Sequence, residues 1–126
     1  MTEDQTSSIN KAVNSLPDKL TIGAITYHIK KCDELNPDKD GESLLGEFYE
    51  SACRISILKS IIHSRQVVIT VLHEVIHVLT NRSGFKADEI EEQYVSAIAY
   101  GIVDVLGQNP DFIDWIKRVL IDEANE

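Results

Sequence analysis

The sequence lacks a long hydrophobic run, and this absence excludes a membrane-spanning helix. No stretch of the 126 residues approaches the roughly 18 consecutive apolar residues that a span requires. The first eight residues are polar and acidic, which is unlike a signal peptide. We therefore expect a cytoplasmic protein with no membrane partner, in which residues 1–12 form a flexible tail and residues 13–126 form a single domain.

Basic residues and cysteines are also scarce. The chain has 12 Lys and Arg residues against 21 Asp and Glu, and its formal net charge of −9 repels the phosphates of nucleic acids. Direct nucleic-acid binding is therefore not expected. Cys32 and Cys53 are the only cysteines and do not form a CxxC motif, so we expect reduced thiols rather than a disulfide framework.

The residues that are present predict a small β-sheet in the first half of the chain. Hydrophobic residues alternate through residues 20–29, with a change of phase near Gly23 that indicates a turn or a bulge. Residues 36–41 are rich in turn formers and predict an exposed loop. Two short strands at residues 45–50 and 54–58 are expected to form a hairpin.

Two long helices are predicted next. Residues 64–81 have the length and the 3.6-residue spacing of polar positions that are typical of a helix, and Gly84 suits its left-handed C-terminal cap. The second helix is expected to begin at Asp88, with Glu91 completing a capping box, and to end at Gly107.

A third helix closes the predicted fold. Asn109 is its expected N-cap, Pro110 suits its first helical position, and the helix is expected to run to about residue 122. Strands that precede a run of helices are typical of an α+β fold. We therefore predict a small, mostly antiparallel sheet packed with three helices.

One motif carries recognisable chemistry. His73, Glu74 and His77 form an HExxH motif on the first predicted helix. Positions i and i+4 share a helix face, so both imidazoles reach one metal ion, and zinc suits imidazole and carboxylate ligands. Glu74 is the expected catalytic base, because its carboxylate lies where it can take a proton from a zinc-bound water.

The helix around the motif supports this interpretation. Its polar residues fall within an arc of about a quarter-turn when about 100° is assigned to each residue, and nearly all other positions from Val67 to Leu79 are aliphatic. Two histidines in a narrow stripe on a buried helix need a partner, because unpaired buried polar groups are costly. A bound metal is such a partner. The stripe consists of Gln66, Thr70, His73, Glu74, His77 and Asn81.

The motif does not identify the third zinc ligand. No histidine follows His77, and Thr80 and Ser83 exclude the longer HExxHxxGxxH motif of metzincins. A carboxylate on the next helix is therefore expected. Glu91 and Glu92 both border the predicted core face of that helix, so its geometry does not choose between them. The carboxylates considered are Asp88, Glu89, Glu91, Glu92 and Asp104. The predicted core face consists of Val95, Ile98, Ala99, Ile102 and Leu106.

A series of short motifs extends along the chain. An Ile-Gly…Tyr pattern occupies residues 22–27, a second strand begins at Gly46, and an Arg-Ile-Ser-Ile-Leu strand precedes the HEVIHVL segment. An E-x-x-V-S-x-I-A segment follows at residues 92–99, and an Asn-Pro pair comes last. From about residue 20 to residue 109, the sequence resembles the ImmA/IrrE-type metallopeptidases, especially their short phage and prophage members. The resemblance implies a minimal zincin fold with a gluzincin-like site.

The resemblance also implies roles for residues of the second helix. In the family, HExxH is followed by E-x-x-A-N-x-F-A, whose glutamate completes the zinc site, so Glu92 is the expected third ligand beside His73 and His77. Ser96 stands where the family has asparagine, and we expect it to hydrogen-bond behind the zinc ligands. Many relatives carry a helix-turn-helix domain or cleave a repressor. No such domain is expected in this chain, so the resemblance implies the chemistry and the fold but does not identify the substrate. We expect an intracellular protein substrate, for which a repressor or a host regulator is one candidate.

Substrate contacts are expected on a strand. In zincin-like folds an edge strand beside the active-site helix binds the substrate in extended form, through main-chain hydrogen bonds. Arg54–Leu58 is the predicted edge strand, with substrate-binding residues Arg54, Ile55, Ser56 and Ile57. The alternative is a half-buried strand that has no role in substrate binding. A side chain that stabilises an oxyanion is also expected. The sequence does not select among Tyr27, His28, Tyr49, His63 and Tyr100.

Two functions of different classes follow. The leading hypothesis is a zinc-dependent metallo-endopeptidase that acts on an intracellular protein. The alternative is a zinc-binding interaction protein that lacks catalytic activity. Such a protein, of a kind that a phage could encode, would bind or inhibit a host protein. Glu74 favours the enzyme, because a structural metal site needs no carboxylate beside its first ligand.

Overall fold

The computed structural model describes residues 11–35, 45–84 and 88–123. Residues 1–10 of the predicted tail and the predicted loop at residues 36–41 lie outside these ranges. Residues 11–14 form a helical turn, and Val13 within it is buried in the core. This turn includes two residues that the sequence analysis assigns to the tail.

Two hairpins build a four-stranded sheet. Strands β1 (Lys19–Ile22) and β2 (Ile25–Cys32) pair in antiparallel fashion. The turn between them has Gly23 at a φ of +64°, a left-handed conformation that glycine adopts without steric cost. The change of phase near this residue therefore marks a tight turn rather than a bulge. Strands β3 (Gly46–Tyr49) and β4 (Arg54–Leu58) form the second hairpin, as predicted.

The two hairpins are joined into one sheet by pairing between their second strands, β2 and β4. The sheet runs β1-β2-β4-β3, and β2 pairs with β4 in parallel, with Ile29 opposite Ile55. Because the other two pairings are antiparallel, the sheet is mixed but mostly antiparallel. The predicted α+β class is confirmed.

The helices lie close to their predicted positions. Helix α1 spans Ser64–Arg82, α2 spans Glu89–Gln108 and α3 spans Pro110–Lys117, and a π-helical turn follows at Arg118–Asp122. Gly84, just beyond α1, has a φ of +85°, as expected for a left-handed residue after a helix end. None of the described helices is long and apolar enough to cross a bilayer.

The ends of α2 differ from the predicted capping in two details. The Asp88 side chain accepts a hydrogen bond from the backbone N–H of Glu91 at 2.8 Å, but the Glu91 side chain turns toward α1 instead of completing a capping box. Asn109 does not cap α3 with its side chain. Its amide donates to the carbonyl oxygen of Val105 at 2.8 Å, which satisfies the end of α2.

Helix α1 is the central element, because it packs against the sheet and against α2. Ile55 and Ile57 of β4 and Val78 of α1 are 0% exposed in the sheet-side core. The α1–α2 core is a separate cluster. It contains Ile69, Leu72, Ile76, Val95, Ala99 and Val103.

The predicted core face of α2 is wrong at two positions. Ile98 is 47% exposed and Ile102 is 36% exposed, whereas Val103 is 7% exposed. Because α1 covers only one side of α2, the buried residues form a narrow row at i, i+4 and i+8, through Val95 and Ala99 to Val103. The residues beside this row stay at the surface.

Candidate metal centre

Two imidazoles of α1 and one carboxylate of α2 meet at the surface between the helices. His73 and His77 lie one helical turn apart, and their Nε2 atoms are 3.1 Å from each other. The Glu92 carboxylate reaches across from α2, with Oε1 2.8 Å from His73 Nε2 and Oε2 2.9 Å from His77 Nε2. The α1–α2 core fixes this approach, because Val95 and Ala99 hold the first turns of α2 against α1.

The spacing of these atoms suits a single metal ion. One ligand atom from each of His73, His77 and Glu92 lies within 4.8 Å of the other two. A tetrahedral ion with bonds of about 2.0–2.1 Å separates its ligand atoms by about 3.3 Å, which is close to the observed distances. The two histidine side chains are 20% and 18% exposed and the Glu92 side chain is 55% exposed. The cluster is therefore open to solvent on its carboxylate side.

Glu91 occupies a different position from Glu92. Its side chain is 10% exposed, and its Oε1 lies 3.0 Å from His77 Nδ1 and accepts a hydrogen bond from the Thr80 hydroxyl at 2.7 Å. A carboxylate at Nδ1 favours the tautomer with its proton on Nδ1, which leaves the Nε2 lone pair for a metal. Glu91 thus orients His77, a candidate ligand, and lies outside the group of three residues that could hold an ion.

The hydrogen bond between Glu91 and His77 was not predicted from the sequence. There, Glu91 is expected only as an alternative third ligand or as part of a capping box. The available signal was its position beside Glu92 on the rim of the α2 core face, since an acid there can turn toward the side of α1.

Burial sets the protonation of the first histidine. Loss of hydration lowers the pKa of His73, and the nearby His77 lowers it further, although Glu92 opposes the shift. A lowered pKa favours the neutral imidazole, which is the form that binds metal ions.

Glu74 lies on the sheet side of α1, against the first residue of β3. It is 6% exposed. A Cβ atom at Gly46 would lie 2.8 Å from Thr70 Cγ2 and 3.3 Å from Glu74 Cγ. Glycine at this position therefore allows the strand to approach the helix at the point where the HExxH glutamate is placed.

The predicted edge strand is wrong. Arg54–Leu58 is β4, which has β2 on one side and β3 on the other, so its main-chain groups already pair within the sheet. Ile55 and Ile57 are 0% exposed and Ser56 is 2% exposed. None of the predicted substrate-binding residues, Arg54 included, lies on an edge that a peptide can join. The error arose because strand order depends on non-local pairing, which a hairpin motif does not reveal.

The edge strand beside α1 is β3. Its first residue, Gly46, lies against Thr70 and Glu74. Glu50, just after its last residue, accepts a hydrogen bond from Asn81 Nδ2 at 3.3 Å. The strand therefore runs along the same stretch of α1 that carries Glu74 and His77. No described strand pairs with its outer edge.

The remaining predicted residues do not join the cluster. Ser96 is half-buried, and no hydrogen bond described for the chain includes its side chain. Tyr27 is 3% exposed and packs edge-to-face on Phe48 in the core. Tyr49 bonds to Glu47, on the face of the sheet away from α1, because strand residues alternate between faces. This bond and burial raise the pKa of Tyr49.

The other three oxyanion candidates are scattered. His63 is the N-cap residue of α1, ten positions before His73. His28 pairs with Arg54 within the sheet, and Tyr100 is 50% exposed on α2. The described residues therefore identify no oxyanion-stabilising side chain.

Comparisons with known proteins identify no family for this chain. No protein-family model, no curated protein and no solved structure matches the chain.

Proposed function

We propose that the chain is a zinc-dependent metallopeptidase, in which His73, His77 and Glu92 hold the zinc ion and Glu74 is the general base. The observation that carries the proposal is the convergence of two Nε2 atoms and one carboxylate within 4.8 Å, next to a glutamate at the second position of an HExxH motif. The resemblance to ImmA/IrrE-type metallopeptidases supports the same assignment.

The donor set favours zinc. Two neutral imidazoles and one carboxylate are a common protein ligand set for catalytic zinc, which keeps a further position open for water or substrate. The solvent-exposed side of Glu92 provides room for that position. The Glu91 carboxylate behind His77 matches the outer hydrogen bonds that orient zinc-bound histidines. When bound, zinc supplies Lewis-acid chemistry and lowers the pKa of a coordinated water toward about 7.

The protein's own residues would handle the proton. Glu74 is adjacent to His73 in the chain and is not one of the three residues of the ligand cluster, so we assign it to proton transfer and not to metal binding. As general base it takes a proton from the attacking water, and as general acid it passes that proton to the leaving amine. Burial against Gly46 restricts its side-chain motion, which favours a fixed orientation.

An extended peptide fits the outer edge of β3. This edge has no described partner strand, and it lies beside the part of α1 that carries Glu74 and His77. Strand addition supplies main-chain hydrogen bonds and tolerates varied side chains. We therefore place the substrate on Gly46–Tyr49, and not on the strand that the sequence indicated. The expected substrate is a protein segment that can become extended.

A second candidate function is a zinc-binding interaction protein without peptidase activity. The observation that favours it is the exposed apolar surface of α2 and α3, where Tyr94 is 66% exposed and Trp115 is 51% exposed. In this case the metal would stabilise the α1–α2 contact and the helices would bind another protein.

Substitution of Glu74 by glutamine separates the two functions. Glu74→Gln is expected to keep one zinc per chain, because no ligand is removed. It is expected to lower peptide hydrolysis by roughly 10²–10⁴-fold, the usual contribution of a general base. Zinc content is measured by elemental analysis. Hydrolysis is measured by mass spectrometry of new termini in a denatured protein mixture.

The control is the double variant His73→Ala/His77→Ala, which should lose both zinc and hydrolysis. If wild type and Glu74→Gln produce the same new termini at the same rate, the peptidase proposal fails. If the wild type binds no zinc after reconstitution, the metal assignment fails as well.

A further inference from the structure

Helices α2 and α3 and the π-helical turn present most of the exposed apolar side chains. Of fifteen large hydrophobic residues exposed in the described chain, eleven lie between residues 90 and 121. We call these eleven side chains, together with the groove at the end of α2 described below, the C-terminal apolar surface. Clustered exposed apolar side chains are typical of an interaction site.

Part of this surface is a stripe along α2. Ile90, Tyr94, Ile98 and Val105 follow spacings of four, four and seven residues, so they share one face of the helix. At about 1.5 Å per residue the stripe is about 22 Å long. Glu92 lies two residues from Ile90, about 200° around the helix. The stripe and the metal cluster therefore lie on different sides of α2.

The other part is a groove at the end of α2. It has a volume of about 340 Å³ and is lined by Leu106, Ile113, Ile116, Lys117, Leu120 and Ile121. No residue of α3 or of the π-helical turn is buried. These two segments thus gain little from packing on the rest of the protein, and their apolar side chains are open to a partner.

Charge indicates what kind of partner fits. Residues 88–123 contain nine acidic and two basic residues. Asp114 and Asp122 are adjacent in the chain to the groove residues Ile113 and Ile121, and neither has an ion pair within the described ranges. In a self-associated pair, two acidic surfaces would repel each other, and the same charge repels nucleic acids and anionic lipids. A partner with a basic surface is attracted instead.

We propose that the C-terminal apolar surface binds a basic amphipathic helix of another protein. Its apolar side chains occupy the groove and the stripe, and its Lys and Arg side chains pair with the acidic residues that flank them. This proposal does not rest on the proposed peptidase activity, because the surface excludes the metal ligands.

Trp115 lies about 200° around α3 from Ile113 of the groove, so binding is followed through a label on the peptide and not through tryptophan fluorescence. The probe is a set of three helical peptides that share one leucine stripe, carry lysine, glutamine or glutamate on their other faces, and bear the same fluorophore. The fluorescence anisotropy of the lysine peptide is expected to rise when the protein is added. We expect its Kd to be at least tenfold lower than that of the glutamate peptide, and its binding to weaken as salt is added.

Two variants test the chemistry of the surface. Asp114→Asn/Asp122→Asn is expected to weaken binding of the lysine peptide several-fold and to leave binding of the glutamine peptide unchanged. Leu120→Asp is expected to weaken all three peptides, whereas Ile62→Asp, at an exposed isoleucine outside the surface, is not. His73→Ala/His77→Ala should bind the lysine peptide like the wild type, even if the peptidase proposal fails.

Several outcomes overturn the proposal. Equal affinity for the three peptides would mean nonspecific apolar adhesion, and no binding would mean that the surface does not accept a helix. A dimer in analytical ultracentrifugation without peptide, lost in Leu120→Asp, would identify a second copy as the occupant. Co-sedimentation with anionic vesicles, without an anisotropy change for the lysine peptide, would identify a membrane.

Discussion

The sheet with α1 and the pair α2–α3 are two regions built on different principles. Residues 11–84 carry nine acidic and nine basic residues, whereas residues 88–123 carry nine acidic and two basic residues. The first region encloses Ile55, Ile57 and Val78 completely. The second buries one row of α2 and no residue of α3. Folding free energy is therefore concentrated in the first region, whereas most of the exposed large apolar side chains lie in the second.

The metal cluster lies at the boundary between the two regions. α1 supplies His73 and His77, and α2 supplies Glu92. A metal ion bound there would therefore link the well-packed region to the less packed one, and it would stabilise the α1–α2 contact in addition to any chemistry that it supports.

Truncation of core side chains is expected to have the largest effect on stability. Ile57→Ala should lower the free energy of unfolding by about 2–5 kcal/mol, because it leaves a cavity in a fully enclosed site. Leu120→Ala in the π-helical turn should change it by less than about 0.5 kcal/mol, since the side chain is 68% exposed. Urea unfolding of both variants measures the difference. Equal losses would contradict the contrast between the two regions.

Substitution of a glycine by alanine is expected to destabilise the first region and to stabilise the second. Gly46→Ala is expected to lower the free energy of unfolding by about 1–3 kcal/mol, because its Cβ would lie 2.8 Å from Thr70 Cγ2. Gly101→Ala should raise it by about 0.5–1 kcal/mol, since nothing lies within 4 Å of that Cβ and alanine favours the helix. Thermal unfolding by circular dichroism reports both signs. A stabilising Gly46→Ala would mean that β3 does not approach α1 closely.

Removal of the negative charge of Glu91, which lies beside Nδ1 of His77, is expected to weaken zinc binding. Glu91→Gln should raise the zinc Kd roughly 10-fold to 100-fold, because the glutamate orients His77 through Nδ1. Glu89→Gln is the matched control, since it removes an exposed carboxylate from the same helical turn and should leave the Kd nearly unchanged. Competition with a zinc chelator of known affinity gives both values. An equal loss of zinc affinity in the two variants would mean that Glu91 acts only through its negative charge and does not orient His77.

The smallest expected effect is on the pH dependence of the metal-free protein. The pKa of His73 is lowered in the folded state, mainly by burial, so the unfolded chain binds this proton more readily. The corresponding stability is present above the ordinary histidine pKa of about 6.5 and is lost as the pH falls from there toward the folded pKa.

Urea unfolding in the presence of a chelator, between pH 7.5 and pH 5, tests this dependence. His73→Gln should retain more of its stability over the same interval. Identical slopes for the wild type and the variant would show that the His73 proton makes no contribution.

Local patterns predicted most of the elements and part of the site. Alternation and turn residues were sufficient for the β3–β4 hairpin, and polar spacing identified α1 with both of its histidines. Glu92 came from a resemblance between motifs, and the position of α2 agrees with it. The error on β4 has a physical cause, because its parallel pairing with β2 joins residues far apart in the chain, and no short pattern encodes that contact.

What the sequence by itself determined is the chemistry that α1 can present. A helix with His73 and His77 one turn apart places both imidazoles on one face in any fold that keeps the helix. The tertiary structure decided the rest. Only the packing of α2 on α1 separates Glu92 at the cluster from Glu91 behind His77. Only the strand order puts β3 at the edge and encloses β4, since edges and faces arise from contacts between elements.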